Sequence, residues 1–512
     1  MNIGTIPTRH ARFRPNHLAL VFEDNYLTYL EFNRRVNRLA NTLLKMGISK
    51  GDKIATVLPN CQELLEIYWA VAKIGAVVVP LSPLLREKAL TTLLNDSDTT
   101  LIITNSAFTE IMETIKPELK AIGSDRYILT DDANVSGYRN YHLLTAEAGE
   151  QEPGGIEIND EDQYNIIYSS GTTGLPKGII HTHYIRAMYA NLFAVNFRAT
   201  PESVILHTGS LVFNGAFVTL LGAFYLGATY IVHRQFDPVA LIETIERERV
   251  THTLMVPSQI VAMLHAENFS TEALQSLEMI GTVGAPLHRQ HKEELNQQLP
   301  GRFYELYGLT EGFATILDKT DYAAKPESVG SPPALYEIRI MDNQGHDLPA
   351  GEIGEIVGRG PIMMPGYYNR PDLTAETVVD GWIHSGDMGY VDEDGYLYLV
   401  DRKKDMIISG GINVYPKDIE EVIVQHPAVR EVAVFGIPSE KRGETPLAAV
   451  ILNKPGAVTA KNLCDWINER VEARYQKVHE VVLMDDFPRS IVGKTLKRVM
   501  REEYWTGQKT QI

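Results

Sequence analysis

A strand–helix–strand unit near the N-terminus narrows the folds open to this chain more than any other feature of it. Lys53-Ile-Ala-Thr-Val-Leu58 is short and apolar enough for a buried strand. Asn60 is placed to cap a helix in which Leu64, Leu65, Ile67, Tyr68 and Val71 recur at helical spacing. Gly75 ends that helix, and Ala76-Val-Val-Val-Pro80 supplies the next strand. Two strands joined through a helix at this distance form a parallel pair with a right-handed crossover. The pattern continues in Leu101–Thr104 and Tyr127–Thr130. It returns in Leu226–Val232, the helix Val239–Glu248 and Thr253–Val256. The expected class is therefore α/β, with mostly parallel sheets covered by helices on both faces.

The texture changes after about residue 330. Short alternating runs, Tyr336–Ile340 and Gly354–Gly358 among them, are rich in Gly and Pro nearby and predict antiparallel sheet or a small β-barrel-like part. Beyond Asp401 a compact α+β unit is expected: Met406–Ile408, a helix Pro416–Gln425, a strand Glu431–Phe435 and a helix Thr459–Tyr475. A chain of 512 residues is too long for one hydrophobic core. The boundary is placed so that residues 1–401 form a large N-terminal domain and residues 402–512 a small one.

Charge and hydropathy remove several function classes. A formal net charge of −17 argues against nucleic acid or an anionic membrane surface as the main partner, since both call for a basic face. No apolar run reaches transmembrane length; the longest, Val71–Leu81, is interrupted by Lys73 and Pro80, so no membrane insertion is expected. Met1–Arg14 lacks an apolar signal core, which predicts a cytoplasmic protein. Cys61 and Cys464 are then expected as two buried thiols rather than a disulfide.

The chemistry is concentrated in Tyr168-Ser-Ser-Gly-Thr-Thr-Gly-Leu-Pro-Lys-Gly178, which follows the strand Ile166–Tyr168. Gly171, Gly174 and Gly178 let backbone amides approach an anion closely. Ser169, Ser170, Thr172 and Thr173 add hydroxyl donors, and Lys177 adds a positive charge. This suits a polyphosphate. The spacing is not that of a Walker A loop, because Gly178 stands where a Ser or Thr would hold magnesium.

The loop resembles the signature of the adenylate-forming superfamily, which includes acyl-CoA synthetases, peptide-synthetase adenylation domains and luciferase. Further motifs follow in the family's order along essentially the whole chain. Tyr307-Gly-Leu-Thr-Glu-Gly312 is similar to a second family motif. The resemblance implies Tyr307 and Gly308 beside adenine, Thr310 on phosphate and Glu311 on Mg2+, a hard ion that seeks oxygen. Gly284-Ala285-Pro286 resembles the segment lining the adenine pocket. In Gly381–Gly389, Asp387 matches the aspartate that takes the ribose hydroxyls, as a carboxylate with paired acceptors can. In Asp401–Gly411, Arg402 is implied at the ribose and Lys404 at a hinge. Ser409, Gly410 and Gly411 are implied on the path of coenzyme A. Lys494, in Pro488–Arg498, aligns with the catalytic lysine. An ammonium placed between carboxylate and α-phosphate would stabilise charge developing in the transition state.

One departure stands out. Many acyl-CoA synthetases carry an aromatic residue followed by His between the first two motifs; here Ser210-Leu-Val-Phe-Asn214 puts Asn214 in that place. The acyl pocket is expected to be lined by Phe213, Asn214, Phe217, Val283, Gly308 and Phe313, with no charged group among them. That favours an apolar or aromatic acid. The expected reaction consumes ATP and a small-molecule carboxylic acid and passes the acyl group to the thiol of coenzyme A. Transfer to an amine or to a separate carrier-protein thiol is the near alternative, and an inactive nucleotide-binding module the distant one. A homodimer is compatible with everything above.

Overall fold

The computed structural model describes residues 1–119, 121–169, 177–402, 405–409, 412–439, 441–489 and 495–505, and of Ser169 the backbone alone. The expected α/β architecture is what the chain adopts. One seven-stranded sheet runs in the order Arg139–Asn140, Tyr127–Leu129, Thr99–Thr104, Lys53–Val57, Val77–Leu81, Gln163–Ser169, Lys177–Thr182. Its neighbours are parallel except for the last pair, an antiparallel hairpin. A second sheet of eight strands has a parallel centre (Met279–Val283, His252–Met255, Val204–His207, Thr229–Val232) and an antiparallel hairpin at each end.

Strand alternation explains how these sheets are covered. Leu20, Ile205, Tyr230 and Met279 point into the main core, which the second sheet shares with the first. Their neighbours Val21, Leu206, Ile231 and Ile280 point into a separate core on the opposite face. The helices Gln62–Ile74 and Asn214–Leu226 lie within the main core. The first is buried at every position except Glu63, because a helix enclosed by other elements has no solvent face to keep polar.

A third, antiparallel sheet of five strands holds Glu337–Met341, Gly354–Arg359, Val378–Val379, Trp382–Val391 and Leu397–Arg402. The strands Ile407–Ser409, Ile412–Val414, Val429–Ser439, Gly443–Leu452 and Val481–Leu483 form a fourth sheet with hydrophobic cores of its own. No described helix is long and apolar enough to cross a membrane.

Three local expectations are corrected. Asn60 does not cap the helix that follows. Its amide donates to Gly209 O (2.7 Å) and His233 O (2.9 Å) and accepts from Leu211 N (2.8 Å), so it ties that turn to the second sheet instead. The helix expected over Thr459–Tyr475 spans only Ala460–Asn468. Asn468 stops it by bonding the backbone of Val478 in both directions, at 2.8 and 3.0 Å. Leu226 belongs to a helix rather than to the following strand: Gly227, with φ +75°, ends that helix and Thr229–Val232 begins after it. Cys61 is a buried free thiol as expected, whereas Cys464, also free, is only partly buried.

Candidate nucleotide and acyl site

The predicted phosphate loop joins the two strands of the terminal hairpin, with Ser169 paired opposite Lys177. Ser170, Gly171, Thr172, Thr173 and Gly174 lie outside the described residues, as does the Ser169 side chain. Just past the loop, the segment 366–368 packs across the hairpin: Tyr368 N donates to Gly178 O at 2.7 Å. A Cβ at Gly178 would come within 2.9 Å of the Ile166 side chain, so only glycine fits without displacing it. Tyr367 then bridges two predicted site residues. Its ring lies 4.9 Å from Lys177 Nζ, and its hydroxyl donates to Glu311 Oε1 at 2.9 Å.

Glu311 sits in the turn after the strand Phe303–Gly308. Gly312 has φ +129°, and a Cβ there would fall 2.3 Å from Met363 Cα, so the turn is pressed against residues 362–364. Met364 N donates to Glu311 O at 2.8 Å, and His181 Nε2 donates to Thr310 O at 2.9 Å. The same strand brings Tyr307 to the third sheet, where its hydroxyl donates to Asp387 Oδ2 at 2.9 Å. Burial, with Asp387 beside it, pushes the Tyr307 phenol up and keeps it protonated. Arg402 is paired in register with Asp387, and its Nε lies 3.2 Å from Asp387 Oδ1. Among the described residues each carboxylate oxygen thus has one protein donor and spare lone pairs. Gly284, Ala285 and Pro286 follow the strand Met279–Val283 and are exposed, Gly284 in the left-handed region at φ +91°.

The predicted acyl-pocket residues divide. Phe213, Asn214, Val283 and Gly308 keep accessible surface. Phe217 and Phe313 are fully buried: Phe217 stacks on Tyr68, and Phe313 lies against Gly358, where any Cβ would collide with its ring. Both are enclosed by the core in this structure, as is Arg186 beside Phe217. The region also holds a charge that the expected lining lacked. Arg186, on the helix His183–Asn196, is fully buried. Its Nε donates to Asn165 Oδ1 (3.0 Å), Nη1 to Asn214 Oδ1 (2.9 Å) and Nη2 to His181 Nδ1 (3.2 Å). Rings of Phe217 and Tyr189 flank it at 4.3 and 4.7 Å. Burial pulls its pKa down to about 10, which leaves it charged at neutral pH. Burial and the neighbouring Arg186 push His181 well below its ordinary value, so it is a neutral link between the guanidinium and the Thr310 turn. Asn214 Nδ2 in turn donates to Tyr189 Oη at 2.9 Å.

In the last part of the chain, Ser409 is buried and its hydroxyl has no partner among the described residues. Lys404, Gly410, Gly411 and Lys494 lie outside the described residues. The residues on either side of 490–494 meet: Arg489 pairs with Thr495, and Leu496 N donates to Pro488 O at 2.7 Å. Polar contacts join this part to the rest. Lys417 Nζ donates to Leu399 O at 2.7 Å, and His288 Nδ1 stands 2.8 Å from Glu421 Oε1.

The sequence profile of the AMP-binding enzyme family matches residues 7–368, and that of the AMP-binding enzyme C-terminal domain matches residues 418–494. The chain belongs to the AMP-binding enzyme family. Among curated members, the feruloyl-CoA synthase of an Amycolatopsis species is 33% identical over 511 residues, 98% of this chain and 99% of that one. ATP-bound MatB from Rhodopseudomonas palustris superposes with a TM-score of 0.88 at 27% identity, covering 98% of this chain and 99% of its own. The anthranilate CoA ligase AuaEII, in complex with anthranoyl-AMP, superposes at 0.91 with 25% identity, covering 99% and 98%.

Within this AMP-binding enzyme, the structure brings Lys177 together with Glu311, and Tyr307 with Asp387 and Arg402, as the motifs grouped them. The sequence did not single out Tyr367, Arg186 or His181, which contact these groups. Tyr367 carried a faint signal, an aromatic pair beside Gly366. For Arg186 the signal was an arginine three residues before Tyr189 on an otherwise apolar helix face, a place where a charge has a reason to be.

Proposed function

We propose that this AMP-binding enzyme is an acid–thiol ligase. It joins ATP and a carboxylic acid to give acyl-AMP and pyrophosphate, then transfers the acyl group to coenzyme A. The observation that carries this reading is the turn Tyr307–Gly312. Two clusters of side chains meet on it: Lys177 and Tyr367 at Glu311, and Asp387 with Arg402 at Tyr307. A nucleotide spanning them would have its ribose at Asp387, its base beside Tyr307 and its phosphates toward Thr310 and Lys177.

In the first half-reaction a carboxylate oxygen bonds to the α-phosphorus while the bond to the β-phosphate oxygen breaks. Lys494 would lie between the two anions. In the second, the thiolate sulfur bonds to the acyl carbon, AMP departs with the oxygen, and the thiol proton is released. Before that step the part after residue 402 would pivot at Lys404, withdrawing Lys494 and presenting Ser409, Gly410 and Gly411 to the pantetheine arm. The interface supports such a movement, being made of polar contacts such as His288–Glu421. Glu311 fits a Mg2+ site. It is a partly exposed carboxylate with one protein donor among the described residues, and Mg2+ commonly combines one carboxylate with phosphate oxygens and water. Bound there, the ion would neutralise phosphate charge. Phe213 and Val283 favour an apolar or aromatic acyl body.

The test is pyrophosphate release with aromatic, cyclic and aliphatic acids, followed by the mass of the product when coenzyme A, a carrier protein and amino acids are offered. An acyl-CoA thioester is expected; an amide as the sole product, or no pyrophosphate with any acid, would overturn the proposal. Lys494→Ala should slow adenylation ~10²–10³-fold and leave thioester formation from supplied adenylate largely intact.

A further inference from the structure

Arg186 is a buried cation whose three hydrogen-bond partners, Asn165, Asn214 and His181, are all neutral. Among the described residues no carboxylate forms an ion pair with it. Its other neighbours are the rings of Tyr68, Tyr164, Tyr189 and Phe217. An uncompensated buried charge is costly. The location makes it worse. Arg186 lies in the first turn of the helix His183–Asn196, and Asn214 is the first residue of the helix Asn214–Leu226. Helix N-termini carry positive potential and favour anions, yet neither first turn holds an acidic residue. The first helix end is capped by Thr182 Oγ1, which accepts from Ile185 N at 3.3 Å, but the second has no side-chain cap and meets the guanidinium through Asn214.

One side of the cluster is open. Asn214 and Gly215 keep surface, and a Cβ built on Gly215 would meet only Val283 Cγ1, at 3.9 Å. On its other side the guanidinium reaches the phosphate turn through His181 and the Thr310 carbonyl. A small anion entering beside Asn214 would thus supply the missing opposite charge at the end of the pocket nearest that turn.

We propose that Arg186 is the specificity-determining cation that receives the reacting carboxylate of the acid substrate, which enters beside Asn214 and Gly215. The assignment rests on the ligase reading above. Adenylation sets this carboxylate against the α-phosphate, another anion, and a fixed buried cation lowers the cost of bringing them together. It also supplies, without titrating near neutral pH, the charge that Asn214 cannot carry. Once the adenylate has formed, the acyl carbonyl is neutral and the demand on Arg186 disappears.

The experiment compares wild type, Arg186→Gln and Arg186→Lys, each checked for fold by circular dichroism and thermal melting. Acid binding is followed by calorimetry, KM for acid and for ATP by pyrophosphate release, and thioester formation from supplied acyl-adenylate by mass. Arg186→Gln should weaken acid binding and raise the acid KM by roughly 30-fold or more. KM for ATP and turnover of supplied adenylate should stay close to wild type, and Arg186→Lys should recover much of the loss. Unchanged acid affinity, or an equal fall in both half-reactions, would overturn the assignment. So would a loss confined to dicarboxylic acids, which would place a second carboxylate at Arg186. A wild-type protein that binds the acid but forms no thioester would refute the ligase reading separately, and the calorimetric comparison would still decide the role of Arg186.

Discussion

Two buried cations in the large domain make an instructive pair. Lys73 is held by Glu152 Oε2 at 2.5 Å and by Thr8, Asn33 and Asn37 at 2.7–2.8 Å, so the ammonium braces the N-terminal helix against two others. Arg186 is at least as deeply buried but has neutral partners alone among the described residues. Equal burial with unequal compensation separates a charge that serves the framework from one that awaits something. Lys73 is complete within its own chain, whereas Arg186 is completed only by a ligand.

Giving Arg186 an acid of its own would erase the difference between the two cations. Asn214→Asp would place a carboxylate where Asn214 Oδ1 now accepts at 2.9 Å. Melting should be unchanged or raised, while kcat/KM for the acid falls roughly 100-fold, because the guanidinium is neutralised and a like charge faces the substrate. Retained activity would mean the charge of Arg186 is irrelevant to the acid. The converse change, Glu152→Gln, takes the acid away from Lys73. It should cost about 2 kcal/mol, a figure already reduced because Glu152 is 42% exposed, and should leave kcat/KM within about twofold of wild type. Melting curves and steady-state kinetics on one preparation settle both.

A pH series sharpens the same contrast. Burial pushes the Glu152 carboxyl up, but hydrogen bonds from Asn33, Lys73 and Asn37 outweigh it and hold the group below its ordinary value. A lowered carboxylate binds fewer protons folded than unfolded. Its stabilisation is therefore complete above about pH 4.5 and lost as the pH falls through the folded value. Wild type should lose melting temperature over that acid range more steeply than Glu152→Gln; parallel curves would remove Glu152 as the cause. The smallest expected effect is at the rim of the Arg186 cluster. Tyr189→Phe removes the acceptor of Asn214 Nδ2 and should cost about 1 kcal/mol, read as roughly a fivefold rise in acid KM.

What could be read from the sequence follows a physical line. Gly75 was legible as a helix end because a left-handed C-terminal residue is a local requirement, met here at φ +68°. Asn60 and Asn468 were not, because their partners, Gly209, His233 and Val478, are chosen by tertiary packing. Lys177, Tyr307, Glu311, Asp387 and Arg402 could be named from motif and spacing. That Tyr367 would join two of them, or that Tyr307 would donate to Asp387 across 80 positions, could not. Phe217 and Phe313 show the limit most plainly: apolar residues expected at a pocket are equally at home in the core, and their enclosure in this structure could not be read from the sequence. Arg186 was overlooked for the opposite reason, since a charge on an apolar helix face is informative only once its lack of a counter-charge is visible.

The hairpin that carries the glycine-rich loop also fixes where Lys177 points. Ser169 and Lys177 face each other across an antiparallel pair, and the returning strand is pinned from outside by Tyr368. Were one residue added or removed between them and taken up by the strands, every side chain beyond would swing to the reverse face, and the Lys177 ammonium would leave Tyr367 for the far side. The sheet thus acts as a ruler for the span from Ser169 to Lys177.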